Sequence, residues 1–208
     1  MKRFFMVFMA VFCLIMTPFS AYANEKSGVA FDEKLQGGNG ITIINEQTNE
    51  VISITDYEVE EIVKDNGDID KTIIADVCLE QPKSRNSVTD SGVTVRITFN
   101  VSVAQSGTKY RMTGFKVTYT PLDRAFTISN RHVKTVDYGP NQYVNPSNYI
   151  YDYYPTSNSY SKSYSNQVWV DSSVTPGFVG GYAECTISRG ASKWSLVCRD
   201  MIVYNDIA

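Results

Sequence analysis

The chain carries one histidine, His132, and four cysteines in 208 residues. Those scarcities exclude a histidine-rich metal centre and a disulfide-dense scaffold. No C-x-x-C pair and no H-E-x-x-H spacing occurs, and a metal site based on the one histidine would have to be completed by carboxylates or cysteine. The phosphate-binding glycine loop, the dinucleotide fingerprint and the G-x-S-x-G elbow are missing as well. Basic runs are absent: 19 Lys and Arg stand against 22 Asp and Glu, for a formal charge of −3. A mildly acidic chain has no electrostatic grip on nucleic acid or on anionic lipid. After residue 23 no apolar run approaches the ~20 residues that span a bilayer as a helix. There is also no heptad pattern and no internal repeat.

What the sequence does have is alternation. Val93 to Val103 reads V-T-V-R-I-T-F-N-V-S-V, with apolar residues at every odd position. Side chains alternate across a strand with period two, so Val93, Val95, Ile97, Phe99, Val101 and Val103 share one face, and this stretch is expected to be a central strand. Tyr110 to Tyr119 continues the alternation after a Ser106-Gly107 turn and should lie antiparallel beside it. Asn66-Gly67, between the apolar runs Tyr57–Lys64 and Ile69–Leu79, is a strong hairpin signal because both residues tolerate positive φ. Phe126 to Val136 reads as two short strands or one bent strand, broken at Ser129-Asn130-Arg131. Phe178–Ser188 and Lys193–Tyr204 form a last pair. About ten short strands with turn signals between them predict an all-β protein, an antiparallel β-sandwich or a partly closed β-barrel.

At the N-terminus Lys2 and Arg3 precede an apolar run from Phe4 to Met16, followed by Pro18 and the small-residue site Ala21-Tyr22-Ala23. This is the pattern of a secretory signal peptide over residues 1–23, of a kind compatible with bacterial export, with cleavage before Asn24 and a secreted, extracellular product. Residues 24–40 are polar and end in Gly37-Gly38-Asn39-Gly40, which predicts a flexible arm leading into a single domain over 41–208. Export would place Cys78, Cys185 and Cys198 where a disulfide can persist. If the last hairpin closes through a four-residue loop, Cys185 and Cys198 stand opposite each other on apolar faces, which predicts a bridge between them. Cys78, beside Asp76 and Glu80, is then the cysteine left over.

The composition changes between Tyr138 and Tyr164, where tyrosines crowd among Asn, Ser and Pro and no period survives. This segment is expected to be a long excursion. Tyrosine offers a flat apolar ring and a polar tip at low entropic cost, which suits recognition of sugars or proteins. Tyr149, Tyr151, Tyr153 and Tyr154 are the candidate ligand-binding residues. Tyr151 and Tyr153 would share one face of an extended chain, with Tyr154 on the other.

Catalytic readings are less supported by the residues. The order His132, Cys185, Arg199 resembles that of the secreted cysteine transpeptidases called sortases, which would imply a thiolate nucleophile, an acid/base and an oxyanion-stabilising cation. Gly180 to Glu184, however, lacks the Thr-Leu-x-Thr run that precedes the sortase cysteine. Asp65, Asp68 and Asp70 depart from the calcium-loop spacing, and the hairpin turn accounts for them. Glu58, Glu60 and Glu61 read as a solvated strand face rather than a glycosidase pair. The sequence therefore predicts no cofactor, no metal and no catalytic residue. It points first to a secreted, non-catalytic binding module for an extracellular glycan or protein. A secreted enzyme of cysteine-transpeptidase or carboxylate type is the alternative. A third reading is a pore-forming protein whose hairpin Val93–Tyr119, with Arg96 and Lys116 on its polar face, leaves the sheet.

Overall fold

A computed structural model describes residues 39–54, 57–79, 94–139, 150–173 and 175–205. The expected leader over 1–23, nearly all of the arm over 24–40, and Tyr149 lie outside the described residues. Among the described residues there are twelve strands: β1 (Gly40–Asn45), β2 (Val51–Ile54), β3 (Glu58–Val63), β4 (Ile69–Val77), β5 (Val95–Ser106), β6 (Lys109–Pro121), β7 (Thr127–Tyr138), β8 (Ile150–Tyr153), β9 (Ser159–Ser163), β10 (Val170–Asp171), β11 (Gly177–Arg189) and β12 (Ser192–Asn205).

They form two antiparallel sheets packed as a sandwich. One, here the first sheet, runs β2-β1-β12-β11-β7-β8, so the earliest and latest strands are neighbours; the second runs β10-β6-β5-β4-β3, with β9 also on the outer side of β6. The alternating stretch is central in the second sheet, and Val95, Ile97, Phe99, Val101 and Val103 of β5 are fully buried. Its polar face holds Arg96, which donates to both Asp76 carboxylate oxygens on β4 at 2.6 and 2.8 Å. β5 and β6 are joined at Gly107 (φ +60), and β3 and β4 turn through Gly67 (φ +85), each a left-handed position that glycine occupies without a Cβ clash.

β7 is one bent strand. Asn130 takes a positive φ of 47°, and the pairing of β7 with β11 slips between Glu184 and Thr186. Such a bulge increases local twist and re-aims the side chains beside it.

The last hairpin corrects one expectation. Gly190 (φ +57) permits a two-residue turn, so Arg189 faces Ser192 rather than Trp194. That displaces the register by two: Cys185 lies opposite Leu196, and Cys198 opposite Ala183. The cysteines are diagonal neighbours in the core with free thiols, and the expected Cys185–Cys198 disulfide is not formed. Burial pushes the Cys185 thiol up to about 12. Cys78 is exposed.

The tyrosine-rich segment is also more ordered than its composition predicts, because β8 joins the first sheet beside β7 and β9 joins the second beside β6. Here the rings close one side of the sandwich. Phe115 of β6 packs against Tyr153 at 5.4 Å, Tyr160 at 5.9 Å and Tyr164 at 6.3 Å between ring centroids.

Candidate functional site

The bulge in β7 delimits a pocket on the outer face of the first sheet. Just past it, His132 stands directly opposite Glu184 of β11, and β8 brings Asp152 in beside Lys134. Paired and diagonal residues of neighbouring strands share a face, so three polar side chains converge. His132 Nδ1 lies 2.9 Å from Glu184 Oε1, and Nε2 lies 2.7 Å from Asp152 Oδ1. A carboxylate accepts only, so holding both bonds at once requires the doubly protonated imidazolium, whereas the neutral ring can donate to only one of the two carboxylates. Burial works against that charge, but the hydrogen bonds to Glu184 and Asp152 outweigh it and raise the pKa above the ordinary histidine value.

Aromatic rings frame the cluster. Tyr154 stacks on the imidazole at 4.7 Å with 7° between planes, and Tyr182 meets it edge-on at 5.5 Å. Tyr182 is buried, whereas Tyr154 is 74% exposed. One face of the Tyr154 ring is therefore held and the other is open. Alternation explains why: Tyr153 points inward onto Phe115, and the next residue must point out. A cavity of about 640 Å³ opens here, lined among others by Asn130, Arg131, His132, Tyr154, Thr156 and Glu184. Arg131 donates to the Asn158 side-chain oxygen across the rim, and among the described residues its Nε has no acceptor. From behind, Tyr119 of β6 crosses the core and donates its hydroxyl to the Glu184 carbonyl at 3.0 Å. The floor of the pocket is thus tied to the opposite sheet.

Of the singled-out tyrosines among the described residues, Tyr151, Tyr153 and Tyr154, the structure places Tyr154 at this pocket. Tyr151 stacks on Tyr164 at 5.4 Å and Tyr153 packs on Phe115, both half-buried in the side closure. The residues of the cysteine-transpeptidase reading are not brought together. Cys185 belongs to the core while its neighbour Glu184 faces the pocket, and Arg199 sits opposite Tyr182 on β12, where it donates to Thr42 at 3.2 Å. Asp70 is ion-paired to Lys64 at 2.9 Å, and no cluster of metal-ligating side chains occurs among the described residues.

The partnership of His132 with Glu184 and Asp152 is not apparent from the sequence. A signal existed in the polar, outward phase of both residues on strands that flank each other, but reading it required the strand order and the bulge. Comparisons with protein-family models, with curated proteins and with solved structures find no match.

Proposed function

We propose that this protein is a secreted, non-catalytic recognition module that binds a glycan in the pocket built around Tyr154 and His132. The observation that carries the reading is the exposed Tyr154 ring, held flat against the imidazole with its other face open. An aromatic ring fixed in advance accepts the apolar C–H face of a sugar without losing side-chain freedom on binding. Around it, Glu184 and Asp152 offer acceptors, while Arg131 and Asn130 offer donors. Their charges offset one another, which favours a neutral, hydroxyl-rich ligand over a strongly ionic one. Both carboxylates are engaged by the same imidazolium, so neither stands ready as a protonated general acid, and this supports binding over hydrolysis. Secretion rests on the leader-like sequence over 1–23.

The test is a glycan array followed by calorimetry on the chain beginning at Asn24, beside Tyr154→Ala. The expected outcome is a loss of affinity on the order of tenfold or more, which corresponds to ~1.4 kcal/mol. Stability should move by no more than ~0.5 kcal/mol, as for an exposed side chain. Binding that survives Tyr154→Ala unchanged would place the ligand elsewhere. Absence of any glycan ligand would end this reading.

A further inference from the structure

Lys71 and Asp200 occupy positions meant for apolar residues. Lys71 alternates with Ile69 and Ile73 along the inward face of β4, and Asp200 shares the inward phase of β12 with Leu196 and Cys198. Because β4 and β12 belong to different sheets, their side chains meet between the layers. Lys71 Nζ lies 2.8 Å from Asp200 Oδ1, with side-chain exposures of 11% and 0%. Buried carboxylates are nearly always satisfied by several directed hydrogen bonds, yet Asp200 has no donor besides Lys71 Nζ among the described residues. A buried ion pair of this kind does little for stability, since desolvation offsets the attraction. Burial pushes the Asp200 pKa up, against the pull of Lys71. Passing one proton from Lys71 to Asp200 turns the ions into an amine and a carboxylic acid, the pair that a dry interior favours.

A third group completes the arrangement. Glu61 of β3 stands directly opposite Lys71 in the register, and so on the same side of the second sheet, at its exposed edge. Its charge is felt by Asp200, whose pKa it raises further.

We propose that Lys71 and Asp200 condense without a cofactor into an intramolecular amide that joins the two sheets covalently, with Glu61 carrying the proton. The neutral Lys71 nitrogen attacks Asp200 Cγ, and Glu61 removes a proton from that nitrogen and delivers it to the departing hydroxyl. One Nζ–Cγ bond forms, one Cγ–O bond breaks, and one water leaves; nothing is oxidised or reduced. Amide formation from an acid and an amine is unfavourable in bulk water. Here the partners are already in contact, so their association is prepaid, and the product replaces two buried charges by one neutral amide. Exclusion of water also protects the bond from hydrolysis.

The measurement is intact mass spectrometry of the folded chain beginning at Asn24. The expected mass is lower than the sequence mass by one water, and digestion should release a branched peptide joining the segments that contain Lys71 and Asp200. Asp200→Ala should show the full sequence mass. Asp200→Asn, if it reacts, reaches the same product by losing ammonia. Glu61 lies on an exposed strand, so Glu61→Gln should fold, and it should link many-fold more slowly than the wild type. A folded wild-type chain that keeps its full mass and yields no branched peptide after prolonged incubation overturns the proposal. Linkage in Glu61→Gln at the wild-type rate overturns the role given to Glu61.

Discussion

Glu184, His132 and Asp152 meet where solvent reaches them, on the outer face of the first sheet, whereas Lys71 and Asp200 meet between the sheets. In the outer cluster each imidazole nitrogen is aimed at an oxygen, the ring is stacked on Tyr154, and an open cavity adjoins it. The inner pair has the closer confinement and the poorer hydrogen bonding. Similar ions thus serve different ends. With water nearby, a satisfied cluster is a stable platform that can exchange its solvent for a ligand. Without water, an unsatisfied pair is under pressure to lose its charge.

Removing one partner at each place is the sharpest way to separate them, and Asp200→Ala should have the largest effect. It leaves Lys71 alone in the core, for a loss of about 3 to 5 kcal/mol in urea unfolding, and more if the amide is also lost. The pair Lys71→Met, Asp200→Leu should recover most of the damage caused by an orphaned charge. If the double variant is as weak as the single one, desolvation is not what distinguishes the inner site.

Asp137 extends the comparison to a buried carboxyl without an ion pair in contact. On β7, its Oδ2 accepts from the Met112 amide at 3.1 Å, and its Oδ1 has no partner among the described residues. Burial pushes its pKa up to about 8, against the Met112 amide and the Arg111 charge. The native state therefore keeps a proton that the unfolded chain releases. This contribution is complete below the ordinary aspartate value and is lost as pH rises through about 8. Asp137→Asn should flatten the decline of stability with pH, gaining a few kcal/mol at about pH 9 by urea titration. Equal slopes for the two proteins would mean that Asp137 is ionised in the fold.

At the outer cluster the effect should be the smallest. His132 also has a raised pKa, so its contribution is present below the ordinary histidine value and lost as pH rises through the raised one. With Asp152 well exposed and Glu184 only partly so, His132→Gln should cost about 1 to 2 kcal/mol in mildly acidic buffer, and less in alkaline buffer. A loss as large as that of Asp200→Ala would show the cluster to be a structural core rather than a platform.

Much of this architecture is legible in the sequence. The alternation of β5 identified its buried face residue by residue, and the Asn66-Gly67 and Ser106-Gly107 turns located two hairpins. The inner ionic pair was legible in principle too, since Lys71 and Asp200 interrupt apolar phases, though only strand order shows that they face each other. Register was harder. A four-residue and a two-residue turn at Arg189–Ser192 fit the same composition, and the difference decides whether Cys185 and Cys198 oppose each other. The tyrosine-rich strands were hidden for another reason: β8 and β9 are edge strands whose rings pack sideways between layers, so no apolar period marks them.

The pairing of β1 with β12 sets an order of events. Thr42 and Arg199, joined by a hydrogen bond, are 157 positions apart in the chain, whereas β3, β4, β5 and β6 are neighbours in the sheet in the order in which they follow one another in the chain. Local pairings close quickly and distant ones slowly, so the meander from β3 to β6 can assemble while β1 and β2 still wait. During synthesis β1 and β2 can pair only with each other until β12 emerges, and the edge of β1 that β12 will cover is the vulnerable surface of the growing chain. Asp200 arrives on that same strand. A bond between Lys71 and Asp200 would therefore act as a timestamp, made only after β12 has docked and retained as a record that the two sheets came together.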